Sequence, residues 1–410
     1  VDDSVARTCD AGPFLVRRAR GYVPDPLPLP ETSPAPVLAL GGHLQNTACL
    51  AAGPEAFPSQ HVGDLDTAQA RAFLEEAARG LEEFLQARAE TLVVDAHPDY
   101  PSTWLGERLA AERGAALIRV QHHVAHAAAT LAEHGAFPDL GARAAALILD
   151  GTGWGTDGTA WGGEWLSLQG DLRWKRLAHL EGLLLVGGET AVREPWRVAV
   201  AALAREGAFH LVRALPLSGQ VEPAALESVA SLSVRGSWPL ATGAGRLFEA
   251  AGALLGLAAV NGYEGEAAAR LEAAASRAAG AAAPWPEVSL SASGHETALP
   301  SSALLAALAR RVAGGEPPAE AALGFHVTFA RLAAELTACV LEGRPENLAL
   351  GGGCMVNRIL RRELFRGLQE RGFHPLLPVR VPPGDGGLAY GQAVLGALSG
   401  VRGSEPEQKE

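Results

Sequence analysis

The feature that most constrains this chain is an opening used twice. Val37-Leu38-Ala39-Leu40 is an apolar run that breaks at Gly41-Gly42 and resumes as Thr47-Ala48-Cys49-Leu50-Ala51. Leu147-Ile148-Leu149 ends in Asp150-Gly151-Thr152-Gly153 and returns through Gly158-Thr159-Ala160-Trp161-Gly162-Gly163-Glu164-Trp165. Each reads as a buried strand, a turn whose glycines let backbone amides approach a ligand, and a second strand. The recurrence of one opening about 110 residues further on points to a duplicated α/β fold with a ligand in the cleft between its lobes.

That arrangement is the actin-like, sugar-kinase-like (ASKHA) architecture, and the chain divides accordingly. Residues 37–146 are the expected first lobe; residues 147–400 are the second, with inserted helices and a last helix that packs back. Residues 1–36 read as the linker or tail of an upstream domain, because Pro24 to Pro36 is too proline-rich for a central strand or helix. Residues 401–410 read as a disordered tail. Helical spacing is expected over 67–90, in the alanine-rich stretch 271–284 and around 319–342.

Between the two openings lies Ile118-Arg119-Val120-Gln121-His122-His123-Val124-Ala125-His126, a short apolar run that tips into histidines and an alanine-rich helix. His122 and His126 stand four residues apart on one helix face, close enough to share an ion. Neutral imidazoles also pack well at half-buried positions without any ligand, so the pair needs partners. Asp150 and Asp385, the latter in Pro382-Pro383-Gly384-Asp385-Gly386-Gly387, are the distant carboxylates that could fold back onto it. Asp385 by itself reads equally well as a helix cap. His123 follows His122 where a zinc protease has its glutamate, which removes that enzyme class.

Composition excludes other classes. The 34 Lys+Arg against 46 Asp+Glu give a net charge of −12 with no basic block, so no nucleic-acid partner is expected. A small anion remains possible, held by backbone amides at glycine turns and helix starts. The 4 cysteines are scattered without a Cys-x-x-Cys, and no run of about 18 apolar residues or secretory signal is seen. A soluble cytoplasmic protein without a membrane partner is expected.

Several segments suit a nucleotide. Asn347-Leu348-Ala349-Leu350-Gly351-Gly352-Gly353 runs a strand into three glycines and a helix start in the order a nucleotide turn requires, although no Walker lysine follows. Thr242-Gly243-Ala244-Gly245-Arg246 opens a helix with glycine and a cation, and Tyr263-Glu264-Gly265-Glu266 opens one with carboxylates able to accept from ribose hydroxyls. Gly187-Gly188-Glu189 through Arg197 reads either as a capped helix start or as a binding segment. Ala96-His97-Pro98-Asp99-Tyr100 follows the strand Leu92-Val93-Val94-Asp95, at the carboxyl end where α/β sheets bind ligands.

Taken together, the segments resemble the carbamoyltransferase module of the HypF family, which serves nickel-iron hydrogenase maturation. The matching stretches are residues 1–5, 17–22, 59–65, His97-Pro98-Asp99-Tyr100, 120–126, 150–163, Arg193-Glu194-Pro195-Trp196-Arg197, Gly245-Arg246-Leu247-Phe248, Tyr263-Glu264-Gly265 and the two C-terminal glycine loops, in family order over nearly the whole chain. The resemblance implies transfer of a carbamoyl group from carbamoyl-adenylate to the C-terminal cysteine of a HypE-type partner, later a cyanide ligand of the hydrogenase iron. It implies a divalent metal, Zn or Fe, on His122, His126, Asp150 and Asp385. It also implies an ATP-derived nucleotide near Gly351, Gly352, Gly353, Asn357, Glu264 and Arg246. The acylphosphatase, zinc-finger and adenylate-forming domains of full-length members have no counterpart in this sequence, so the expected donor comes from a separate or missing adenylate-forming domain. Gln45, Glu189 and Glu266 depart from the family pattern, where lysine, aspartate and glutamine are expected. Another carbamoyl or threonylcarbamoyl transferase of the superfamily, or a non-catalytic docking module, are the alternative readings.

Overall fold

Alternation along the strands explains how two sheets come to be buried on both faces. The computed structural model describes residues 2–9, 12–290, 297–341 and 347–409; Val1, position 342 at the expected end of the long helix, and Glu410 lie outside them. The chain opens with an antiparallel pair, β1 (Val5–Cys9) and β2 (Gly12–Arg17). The first lobe follows as β3 (Leu27–Ala39), β4 (Cys49–Pro58), α1 (Ala68–Leu85), β5 (Thr91–Asp95), α2 (Pro101–Arg113), β6 (Ala116–Val120) and α3 (His122–Glu133). Its sheet runs β4-β3-β5-β6, antiparallel at β4 and parallel elsewhere.

The second lobe repeats this plan. In it β7 (Arg143–Trp154), β8 (Ala160–Gln169) and β9 (Arg173–Leu180) form an antiparallel meander. On the other side of β7 the strand Leu348–Gly351 pairs in parallel, and Pro375–Leu376 pairs in parallel beyond it. The order β8-β7-(348–351)-(375–376) reproduces β4-β3-β5-β6 in sense and sequence, which is the duplication the two openings imply.

Side-chain parity builds five layers from these sheets. Leu38, Leu40, Leu92 and Val94 face α1 and α2, whereas Val37, Ala39 and Val93 face a middle layer of α3 and the last helix, Leu388–Arg402. Ala144, Ala146 and Ile148 of β7 meet that middle layer from the other side. Ala145, Leu147 and Leu149 turn outward to the helices of the second lobe, among them Pro195–Arg205, Ala244–Leu254 and Pro318–Val340. The last of these is long and apolar enough to span a bilayer by length and composition, but Phe325, His326, Thr328 and Phe329 are buried within the lobe.

Four expectations are corrected. Residues 1–36 are not a tether: they hold β1, β2 and most of β3. Proline is tolerated because β3 pairs on both sides only at Val37–Ala39, while its proline-rich part meets β4 alone. At the other end Glu407–Gln408 pairs in parallel with β9, so the tail is held by backbone hydrogen bonds. The alanine-rich helix stops at Ala275 instead of running to 284, and the second lobe starts with β7 at Arg143, ahead of residue 147.

Candidate functional site

Where β6 ends, the Gln121 backbone is extended and its side-chain oxygen accepts from the Val124 N–H at 3.0 Å, so α3 begins at His122. His126 follows one turn later on the same buried face. Asp150 lies within β7, and Asp385 opens the short turn Asp385–Gly387 that feeds the last helix. Asp150 Oδ2 lies 3.3 Å from His122 Nε2 and 3.2 Å from His126 Nε2. Asp385 Oδ1 lies 3.4 and 3.5 Å from the same nitrogens. Ligand atoms from all four residues lie within 4.8 Å of one another.

The other carboxylate oxygen of Asp150 and the other ring nitrogen of His122 are already engaged. Asp150 Oδ1 accepts from the Gly151 and Gly353 N–H groups at 2.9 and 3.0 Å. His122 Nδ1 lies 2.8 Å from Asp95 Oδ2. With its Nδ1 proton directed to Asp95, neutral His122 turns an Nε2 lone pair toward two carboxylate oxygens, and His126 Nε2 is buried without a hydrogen-bond partner. Lone pairs facing one another at this range need positive charge between them, a proton or a cation.

Protonation shifts report the same field. Burial lowers the basicity of His122, but Asp385 and Asp95 outweigh it and hold the imidazole well above its ordinary range. Burial raises Asp150 and Asp385, yet the facing imidazoles, His122 first, hold both below the usual carboxylate range. Two imidazoles with two carboxylates suit Zn2+ or Fe2+. A tetrahedral ion with bonds of about 2.1 Å sets its ligand atoms about 3.4 Å apart, so the donors present fit such an ion.

A cavity of about 240 Å³ adjoins this cluster: Asp150 belongs to both, and Gly151 and Gly353, whose N–H groups donate to Asp150 Oδ1, line it. Arg246, Glu264 and Asn357 also line it. Arg246 is 4% exposed; its guanidinium meets Glu249 at 3.1 Å and donates to the Val192 carbonyl at 3.2 Å, while Nε is left without a partner. Glu264 reaches the cavity from its outer lip, where loss of solvent and then the Asp385 and Asp150 carboxylates push its carboxyl up to about 7.

Two other expected contacts, Asn357 and the glycine turn, also serve the surrounding wall. Asn357 Oδ1 accepts from the Ile359 and Leu360 N–H groups, capping the helix Arg358–Gln369, and its Nδ2 faces His326 Nε2 at 2.9 Å. Both amide atoms are therefore engaged in holding the wall. Of the three glycines only Gly353 lines the cavity. At Gly352, with φ +88°, a Cβ would run into the Leu149 carbonyl, so this glycine lets the strand Leu348–Gly351 pass close to β7. In the Glu189–Arg197 segment, Glu194 pairs with Arg197 at 2.6 Å as a helix start, and Val192 touches the site through its carbonyl.

Sequence reasoning missed two residues. Asp95, fully buried at the end of β5, contacts His122; its signal was a carboxylate at the carboxyl end of a central strand. Arg7 of β1 also lines the cavity, bonded to Glu272 at 2.9 and 3.1 Å and to the Val356 carbonyl at 2.7 Å. No local pattern marks it.

Fold and cluster together define a two-lobed α/β protein of the actin-like class with a ligand cleft. Comparison with known proteins narrows the class. Residues 146–392 match the family model described as carbamoyltransferase, Kae1-like domain, second subdomain, and residues 32–133 match the HypF Kae1-like domain. The chain is 40% identical over 425 residues to carbamoyltransferase HypF2 of Cupriavidus necator, covering 95% of this chain and 50% of that protein. To a carbamoyltransferase HypF homolog of the same organism it is 38% identical over 389 residues, covering 91% of this chain and 94% of that one. A crystal structure of full-length HypF in the phosphate- and nucleotide-bound form matches with a TM-score of 0.85 at 30% identity, covering 97% of this chain and 61% of that one. The chain belongs to the HypF carbamoyltransferase family. It spans about half the length of HypF2 and of the HypF proteins of Rhizobium leguminosarum and Rhodobacter capsulatus.

Proposed function

We propose that this chain performs the carbamoyl-transfer step of its family, from carbamoyl-adenylate to the C-terminal cysteine thiol of a HypE-type partner, on the way to a cyanide ligand of a nickel-iron hydrogenase. The observation that carries this reading is the wall shared by the His122, His126, Asp150 and Asp385 cluster and the Arg246–Glu264 cavity. A nucleotide seated in the cavity would bring its acyl-phosphate end to Asp150 and Gly353.

A divalent cation held by the four clustered side chains would add positive charge there and polarise the acyl phosphate. Arg246 sits where it can pair with the adenylate phosphate, and Glu264, its carboxyl pushed up to about 7 and so about half protonated near neutral pH, can approach a ribose or phosphate without full charge repulsion. In the transfer, the acceptor thiolate forms an S–C bond to the carbamoyl carbon. The C–O bond to the phosphate breaks, and AMP leaves with the electron pair; the thiol proton goes to solvent. The donor is supplied by an adenylate-forming domain, attached or separate, that consumes carbamoyl phosphate and ATP.

Mass spectrometry of a HypE-type acceptor incubated with the chain tests this. Carbamoylation of the terminal cysteine with preformed carbamoyl-adenylate is expected, and absence of modification with that donor refutes the assignment. A parallel incubation with carbamoyl phosphate plus ATP shows whether the chain depends on a further domain for its donor.

A further inference from the structure

We infer that Asp95 is the positioning residue of the metal centre: acting through His122, it fixes which imidazole nitrogen carries the proton and which way the ring faces, and so sets the affinity for the ion. The inference rests on the metal reading of the cluster. Asp95 is fully buried, and its two carboxylate oxygens are divided between two tasks. Oδ1 accepts from the His97 N–H at 2.8 Å, closing the turn after β5, and Oδ2 faces His122 Nδ1 at 2.8 Å. An aspartate kept for the turn alone would need only the first. In a neutral His122 the second contact favours the proton on Nδ1 and leaves the Nε2 lone pair toward Asp150 and Asp385.

The sheet, not a loop, sets this contact. β5 pairs with β3 on one side and β6 on the other, and Asp95 is in register with Val120, the last residue of β6. Gln121 then caps α3, so only one residue separates that pair from His122. Asp95 and His122 are thereby tied to the same rung, and a one-residue slip of β5 would turn the carboxylate to the other face. The Thr103 hydroxyl donates to the Asp95 carbonyl at 3.1 Å and holds the strand end from α2. A carboxylate-histidine-metal relay of this kind orients the ligand and raises its basicity.

The test measures Zn2+ affinity of the purified chain by competition with a chromogenic chelator, for wild type, Asp95→Asn and Asp95→Ala. The Co2+ absorption spectrum and the unfolding midpoint of the metal-free proteins are recorded alongside. Asp95→Asn keeps an acceptor for the His97 N–H but removes the charge and offers His122 an amide that permits the wrong tautomer. Both variants are expected to bind Zn2+ roughly 10–100-fold more weakly, with an altered Co2+ spectrum and, for Asp95→Asn, an unchanged metal-free midpoint. Wild-type Zn2+ affinity in Asp95→Asn overturns the inference, whatever Asp95→Ala does, because only a turn-forming role would remain. A wild-type chain that takes up no Zn2+ overturns the metal reading and this inference with it.

Discussion

Gly391→Ala tests how tightly the last helix must sit against α3. A Cβ at Gly391 would collide with the Ala125 carbonyl oxygen and stand 2.7 Å from its carbon and 3.1 Å from the Ala129 nitrogen. Ordinary carbon contacts lie near 3.5–4.0 Å, so the two helices would have to part by roughly 1 Å. Backbone cannot yield as a side chain can, and overpacking of this sort costs about 1–3 kcal/mol. The displacement also falls on the site: Ala125 precedes His126, and Gly391 lies on the helix that Asp385 introduces. Ligands must be held within about 0.5 Å of their working geometry, so the ion should be lost along with the stability. Urea unfolding followed by tryptophan fluorescence and Zn2+ competition on the same samples measure both. A variant with the wild-type midpoint and wild-type Zn2+ affinity would refute the claim that this close approach of helices builds the cluster.

Three further outcomes are expected. Asp385→Ala abolishes carbamoyl transfer while leaving the far-ultraviolet circular dichroism intact; transfer at the wild-type rate would remove Asp385 from the machinery. Arg246→Ala strips the buried Glu249 of its cationic partner, leaving it the Asn261 amide, and costs about 3–5 kcal/mol, a loss that Arg246→Ala with Glu249→Gln partly restores. AMP affinity by calorimetry falls in both, and an unchanged affinity in the double variant would show that Arg246 makes no ligand contact. For Glu264 the folded carboxyl titrates at about 7 against an ordinary 4.5, so between those values the folded state keeps a proton that the unfolded state has lost, and stability falls as pH rises. With metal chelated, Glu264→Gln should match wild type below pH 4.5 and be progressively more stable up to about pH 7; a difference independent of pH would contradict the shift.

His122, His126 and Asp150 were legible because helix spacing and strand ends are local properties of the sequence. Asp385 was not, since a carboxylate before a helix is equally a cap, and only the family pattern separated the two. The proline argument failed for residues 1–36 because it governs strands paired on both sides, and Pro28, Pro30 and Pro34 sit where β3 has one neighbour. Arg7 and Asp95 act through contacts across 265 and 27 residues of sequence. Such contacts follow from the packing of finished elements. Asn357 lines the cavity, but its second task was hidden in the sequence: that its amide caps the helix Arg358–Gln369 and meets His326 is seen only in the packed structure.

The middle layer has a mechanical consequence. Because α3 and the last helix share one apolar cluster with strands of both sheets, they behave as the axle of the molecule, and three of the four clustered residues are carried on or beside that axle. Apart from Arg7 and Gln45, the residues lining the cavity come from the second lobe. Moving the strand and loop that carry those two residues would widen the cavity without shifting the axle or the charges gathered on it, at the cost of the Arg7 contacts to Glu272 and the Val356 carbonyl. Opening the cavity from that side would leave the four clustered residues together.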